Sequence, residues 1–335
     1  MPTVYNGVSA RPHWAGATSA TDIHLEVYDS NIQSQFMYNS IMRGLTTFKS
    51  VQGQSNTWRG DRIGSVAVKG RKYGESLDSS PIRSEKLVVT VDTVSYVRVP
   101  IDFQDDWTAP DFRSTYTRNI GTQQAKAFDE AHIIQLMKCA DFVAPAHLKP
   151  AFNDGILKKV VLGGTDLEAD ADVLCKAHQN NLNQLIKRDV DVGRAVTLVS
   201  PDWFTILLNH KKLMNVEFTG GVGVNDFAQR RIAVLNGVRV IETPRIPTPI
   251  AATPTPTTAV ITHVLGTAFD LTAAQSQRQM ITFIPDLALV TVEAKPMETK
   301  IWVDDRDFGS VIDSYHMYTV SQLRPDAVAC VSTEL

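Results

Sequence analysis

From Leu87 the odd positions run Leu87, Val89, Val91, Thr93, Ser95, Val97, Val99 and Ile101, while the even positions include Lys86, Thr90, Asp92, Arg98 and Asp102. Successive side chains leave a strand on opposite sides, so this alternation predicts a strand with one buried face. Taken as one strand it far exceeds the usual ~5–6 residues, and at ~3.3 Å per residue it spans about 50 Å. That is more than the width of a small domain. A half-buried ribbon of such length needs a cover that its own domain does not supply.

The segment in front of it is too polar to be that cover. VQGQSNTWRGDRIGSVAVKGRKYGESLDSSPIRSEK is rich in Gly, Ser and charge, with one short alternating piece at Ile63, Ser65 and Ala67. Between Arg59 and Lys86 seven basic residues (Arg59, Arg62, Lys69, Arg71, Lys72, Arg83, Lys86) stand against four acidic ones (Asp61, Glu75, Asp78, Glu85). The expectation is an exposed, hairpin-like excursion without a core of its own.

Behind the ribbon, Thr108 or Asp111 can cap a helix with Pro110 in its first turn. Phe112, Tyr116, Ile120, Ala127, Phe128, Ala131, Ile134 and Met137 then give a stripe at helical spacing. The prediction is one helix over about 110–142, far beyond the mean of ~11–12 residues, lying with its stripe across a sheet. Upstream, Ile23, Val27, Ile32, Phe36, Ile41 and Leu45 predict a helix over about 22–48, preceded by a flexible arm.

Downstream the elements shorten and mix. A helix is predicted over about 169–188, with Leu174, Ala177, His178, Leu182 and Leu185 on one face, then a buried strand at 195–200. A helix follows with Ser200 as cap and Pro201 first. Two strands meet at Asn236–Gly237, a type I′ turn signal. PRIPTPIAATPTPTT (244–258) holds five of the sixteen prolines and is expected to be an extended surface loop. MITFIPDLALVTVEA, then TKIWVDDRDFGSVIDSYHMYTVSQL with a turn around Asp304–Gly309, and finally RPDAVACVST, return to strand patterning.

The bulk numbers narrow the function. With 335 residues the chain exceeds two domains on a prior of about 150 each. It is 43% hydrophobic and 21% charged, enough for a sizeable core. A net charge of −3 disfavours a strongly nucleic-acid-binding or membrane-surface chain. Cys139, Cys175 and Cys330 are odd in number and far apart, which predicts buried thiols made in a reducing compartment. No run approaches the ~18 apolar residues of a membrane span, and neither a signal peptide nor membrane association is expected.

No catalytic constellation emerges. TGGVGVND (219–226) lacks the Gly-Lys-Ser/Thr of a phosphate loop. Asp166, Glu168, Asp170 and Asp172 alternate like the start of a calcium loop, but Ala171 and Ala177 stand where its Gly and Glu belong. An acidic helix start is the better reading. The eight histidines form no H-x-x-x-H pair, and His132 and His178 are read as packing residues. The cluster His210-Lys211-Lys212 falls near a helix end, where positive charge is favoured. No enzyme activity, metal or cofactor is expected.

The order of these parts resembles the major capsid proteins of tailed double-stranded DNA phages, with the fold named after phage Hong Kong 97, and is most similar to the short-tailed, T-seven-like group (Autographiviridae). The likeness rests on ESLDSSPIRSEKLVVTVD followed by the Tyr116–Met137 helix, then SPDWFTIL (200–207), LNGVRVIETPRIP (235–247), DLALVTVE (286–293) and LRPDAV (323–328). The resemblance implies an α+β fold with an N-arm at 1–51 and an E-loop at 52–100 that reaches over a neighbouring subunit. It implies a peripheral domain at 101–154 and 293–322 carrying the long spine helix, and an axial domain at 155–292 and 323–335. The Pro-rich loop departs from the family pattern, and no pair of residues is singled out for cross-linking.

The resemblance further implies self-assembly into hexamers and pentamers of an icosahedral head. Expected partners are a scaffolding protein, a portal protein at one vertex and packaged double-stranded DNA held non-specifically. The expected location is the virion capsid, with assembly in the host cytoplasm. An encapsulin-like nanocompartment shell of the same fold is the alternative. Within this frame the basic excursion, Arg59 to Lys86, is expected to lie near an acidic edge of the next copy, for which Asp102, Asp105, Asp106 and Asp111 are the candidates.

Overall fold

A computed structural model describes residues 40–51, 55–77, 79–102, 104, 112–214, 225–226, 230–250, 259–304 and 309–334. The N-terminal arm and most of the 22–48 helix, the capping residues Thr108 and Asp111, the glycine loop up to residue 224 and the Pro-rich residues 251–258 lie outside the described residues. The chain divides into two units. The larger comprises Ile41–Thr93, Phe128–Ala294 and Tyr318–Leu335; the smaller includes Val94–Ala127 and Lys295–Met317.

The alternating stretch is two strands, not one. β3 (Ser84–Thr90) pairs antiparallel with β2 (Thr57–Ile63) in the larger unit, while β4 (Ser95–Asp102) belongs to the smaller. Between them Val91 makes the last rung with β2, its amide donating to the Asn56 carbonyl at 2.8 Å. Asp92 then turns its carboxylate onto the Thr93 hydroxyl at 2.9 Å, and the strand stops. The parity survives the break. Odd positions from Leu87 to Ile101 are buried or half-buried, and even positions from Val88 to Pro100 are exposed.

In the smaller unit β4 pairs antiparallel with the first part of β15 (Gly309–Gln322), from Asp102 opposite Gly309 to Ser95 opposite His316. Val97, Val99 and Ile101 pack with Ile312 and with Ile120 of helix α1 (Phe112–Cys139). On the other face the Arg98 guanidinium grips Asp313 in a two-pronged ion pair at 2.6 and 2.8 Å, and the Trp302 indole donates to the same carboxylate.

The larger unit is built on a six-stranded mixed sheet. Its order is β5 (Ile156–Val160), β16 (Val328–Thr333), β13 (Arg278–Phe283), β6 (Val196–Val199), β10 (Val238–Glu242), β9 (Val234–Leu235). Val196 and Leu198 of β6 face a cluster with Ile134, Met137 and Cys139 of α1, whereas Val199 faces one with Leu174 of α2 (Leu167–Ile186) and Trp203, Phe204 and Leu207 of α3 (Pro201–Leu207). Cover on both faces explains the uninterrupted apolar run. The two-residue turn between β9 and β10 has φ of 50° at Asn236 and 82° at Gly237, the type I′ signature. Short pairs, β7 (Asn225–Asp226) with β8 (Arg231–Ile232) and β11 (Ala259–Ile261) with β12 (Leu271–Thr272), complete the described strands of this half.

Three further expectations are corrected or sharpened. The chain from Ile41 to Leu45 is a 3-10 turn followed by strand β1 (Thr47–Ser50), parallel to the first part of β14 (Leu289–Asp304), so no helix runs to residue 48. The C-terminal half of α1 does not carry a single stripe: Ala131 to Met137 are all buried. His132 and Gln135 break the apolar pattern yet are satisfied inside, His132 by the Phe128 carbonyl and the Thr291 hydroxyl (2.7 Å each) and Gln135 by the Ala268 carbonyl. Ser200 occupies the cap position of α3, but its hydroxyl makes no capping bond.

Candidate assembly surface

The excursion from Thr57 to Thr90 is a two-stranded ribbon whose register sets Asp61 opposite Lys86 and Arg62 opposite Glu85. The ribbon has two faces. Arg59, Asp61, Ile63, Ser84, Lys86 and Val88 are exposed, whereas Trp58, Gly60, Arg62, Glu85, Leu87 and Val89 are half-buried or buried. A Cβ on Gly60 would fall 2.4 Å from the Trp58 ring, so the glycine makes room for the indole on the covered face.

Beyond Ile63 the described residues of loop 64–83 form no strand or helix, only a turn at Tyr73–Gly74. It is held by a few bonds of its own: Gly64 N–H to the Arg83 carbonyl at 2.8 Å, Lys69 Nζ to the Ser79 carbonyl at 3.0 Å and the Ser80 hydroxyl to the Ala67 carbonyl at 2.9 Å. Arg71 donates to the Glu75 carbonyl, and the Lys72 amide to the Glu75 carboxylate. Several of its apolar side chains are exposed among the described residues. Val68 and Tyr73 are fully exposed, and Leu77 is 83% exposed. Contiguous large apolar groups left in water mark a surface that associates.

The structure distributes the candidate charges unequally. Arg59, Lys69, Arg71, Lys72, Arg83 and Lys86 are exposed on the ribbon and its loop. Arg62 is committed within the chain: its Nε and Nη2 donate to the carbonyls of Leu323 (3.3 Å) and Gln322 (2.6 Å), and its guanidinium lies over the Phe142 ring at 5.5 Å. A cavity of about 280 Å³ opens beside it, lined by Asp61, Ile63, Ala151, Phe152, Leu287 and Arg324 among others. Asp102, at the end of β4, accepts the Gln104 amide at 2.8 Å. Asp105, Asp106 and Asp111 lie outside the described residues. The role of Arg62 was hidden from the sequence because its acceptors are backbone carbonyls some 260 residues away. The odd alternation of Ile63, Ser65 and Ala67 pointed the other way, since Ile63 is exposed and Arg62 is on the covered face.

The other motif candidates resolve as structure. Asp166 caps α2 by accepting the Glu168 and Ala169 amides, and the buried Asp170 accepts those of Gly163 and Gly164 at 2.8 Å each. His210 pairs with Asp172 and Lys211 with Glu168, so these two members of the basic cluster hold the start of α2. Burial pushes the Cys175 and Cys330 thiols up to about 12 and the Cys139 thiol well above its usual range, leaving all three poor nucleophiles.

No protein-family model and no curated protein sequence matches the chain. Solved structures do. A chain in the asymmetric unit of the bacteriophage PhiM1 mature capsid is 41% identical, with a TM-score of 0.80 over 99% of this chain and 98% of that one. A chain of the capsid of cyanophage P-SCSP1u is 16% identical, with a TM-score of 0.73 over 95% of each chain. The virus-like particle from Pyrococcus furiosus, at 12% identity and a TM-score of 0.51 over 90% of this chain and 96% of that one, shares the fold.

Proposed function

This chain belongs to the phage major capsid proteins of the Hong Kong 97 fold, and from that premise we propose that it closes into hexamers and pentamers of an icosahedral head around double-stranded DNA, in the manner of the short-tailed, T-seven-like group. The observation that carries the proposal is the loop 64–83, whose Val68, Tyr73 and Leu77 are exposed at the tip of the ribbon. A second copy supplies the missing cover. Residues 52–100 act as the E-loop, 101–154 with 293–322 as the peripheral domain, and 155–292 with 323–335 as the axial domain.

The basic charges Arg59, Lys69, Arg71, Lys72, Arg83 and Lys86 meet the acidic edge of Asp102, Asp105, Asp106 and Asp111 on the next subunit. Each exposed pair is worth only about 0–1 kcal/mol. Repeated around a closed shell, such pairs set register and partner choice rather than raw affinity. A scaffolding protein guides assembly in the host cytoplasm and a portal protein occupies one vertex. The modest net charge of −3 suits a container that holds DNA non-specifically, since a lining rich in Lys and Arg would grip it tightly.

Electron microscopy of the purified protein, alone and with a candidate scaffolding partner, tests this reading. Closed shells or capsomer rings are expected. Monodisperse monomers under both conditions would overturn it. DNA inside particles purified from infected cells separates the phage head from a cargo shell of the same fold.

A further inference from the structure

Arg62 and Glu85 sit directly opposite each other at the outer end of the ribbon, where loop 64–83 departs. Side chains so placed have Cβ atoms about 4.5–5.5 Å apart, close enough for an ion pair. They do not make one. The Nε–Nη2 edge of Arg62, the edge a carboxylate would grip with two bonds, is spent on the carbonyls of Leu323 and Gln322. Glu85 Oε2 is buried and has no hydrogen-bond partner among the described residues. Each group is therefore incompletely satisfied: the cation holds neutral carbonyls in a half-buried place, and one oxygen of the carboxylate beside it is buried without a partner. Burial pushes the guanidinium pKa down, and the Glu85 charge is the strongest influence opposing that shift.

A buried polar atom without a partner costs about 1–3 kcal/mol, and more when charged. That cost vanishes if Arg62 swings across the ribbon to Glu85, and the released carbonyls then turn to water. The seated position satisfies Gln322 and Leu323 and strands Glu85; the lifted position does the reverse. At the opposite end of the ribbon Asp92–Val94 belong to no strand.

We propose that Arg62 is a positioning residue with two alternative partners, a clasp that seats the ribbon on Gln322–Leu323 or releases it by pairing with Glu85, and so sets the direction in which loop 64–83 leaves the subunit. This rests on the reading of that loop as the contact to the next copy. Arg62 itself does not reach the neighbour.

The clasp is tested in the unassembled protein, so that its failure is distinct from a failure of shell formation. Spin labels on Val68→Cys and Val161→Cys, both exposed sites of the larger unit, report the loop-to-body distance in a Cys175→Ser background. Two distance populations are expected for the parent. Glu85→Gln should shift the ratio of seated to lifted about fivefold toward the seated state by removing the competing charge, and Arg62→Met, which loses both partners, should merge the two populations into one. Arg62→Lys, which keeps the charge but loses the fork, should not restore the seated state. Identical distributions in the parent and Glu85→Gln overturn the proposal. Glu85→Gln decides the question even if the Arg62 variants fail to fold.

Discussion

The Asp129 carboxylate accepts the main-chain amides of both Ile41 and Met42, at 3.0 and 3.2 Å, across 88 and 87 residues of chain. Asp129 is fully buried in the middle of α1, and Met42 is fully buried beside it. An acid inside an apolar helix face thus fixes where the chain enters the larger unit ahead of β1. Charged hydrogen bonds of this kind contribute about 1.5–3 kcal/mol, and their loss strands the buried Met42 amide and the part-buried Ile41 amide. Asp129→Ala should lower the unfolding free energy in urea by about 3 kcal/mol. Asp129→Asn, which keeps one acceptor oxygen, should cost less.

His178 ties α2 to the sheet beneath it. Its Nε2–H donates to the Thr197 hydroxyl at 2.9 Å, and its Nδ1 accepts from the Asn236 side-chain amide at 3.1 Å. The bond accepted by Nδ1 needs the neutral ring, and burial lowers its pKa from 6.5 to about 4. The unfolded chain therefore binds the proton first. This contribution to stability is complete above pH ~6.5 and is lost as pH falls through ~4, a difference on the order of 3 kcal/mol. Urea unfolding between pH 7 and pH 4 should show the slope, and His178→Gln should flatten it over that window.

How far these features were legible depends on where their partners lie. The alternation of Leu87 to Ile101 correctly assigned which side of each strand is covered. It could not show the break at Asp92, because parity is conserved when an extended chain crosses from one sheet to another. The Asn236–Gly237 turn and the cap at Asp166 were readable because their chemistry is local. Asp129, His132 and Gln135 were not. Each interrupts an apolar stripe, and what satisfies them comes largely from distant segments: the amides of Ile41 and Met42, the Thr291 hydroxyl and the Ala268 carbonyl. In the ribbon the charges were visible in the sequence, but the inward commitment of Arg62 was not.

Charge on the loop is expected to act between subunits. Arg71 and Lys72 are exposed; the Arg71 side chain and the Lys72 main-chain amide both bond to Glu75 within the loop. The double change Arg71→Glu, Lys72→Glu should leave the monomer's urea midpoint within the ±0.5 kcal/mol of ordinary surface substitutions. Shell yield by sedimentation and electron microscopy should fall sharply. Intact shells at normal yield would remove these two residues from the contact.

The apolar side chains of the same loop allow a separate test. Tyr73 and Leu77 bury almost nothing within the subunit, so Tyr73→Ser with Leu77→Ser should hardly alter its melting. Fully burying such a side chain against a neighbour is worth about 1.5–3 kcal/mol. The double variant should therefore raise the protein concentration at which shells first form by at least about tenfold. An unchanged threshold would mean that these groups stay in water in the shell.

Two glycines of the α1 region should respond to alanine in opposite directions. Gly155 follows the helix and opens β5; its amide donates to the Phe142 carbonyl at 2.7 Å. A Cβ there would lie 2.3 Å from the Cys139 carbonyl oxygen and 2.5 Å from that of Ala140, both backbone atoms that cannot swing aside. Room can come only from pushing β5 and the buried Ile156 away from the helix end, so Gly155→Ala should cost about 3 kcal/mol. Gly121, inside α1, has nothing within 4 Å of the same position. There alanine adds helix propensity and reduces the freedom of the unfolded chain, a gain of about 0.5–1 kcal/mol. Urea midpoints should move down for Gly155→Ala and up for Gly121→Ala. A neutral Gly155→Ala would show that the contact between β5 and the end of α1 is looser than these distances require.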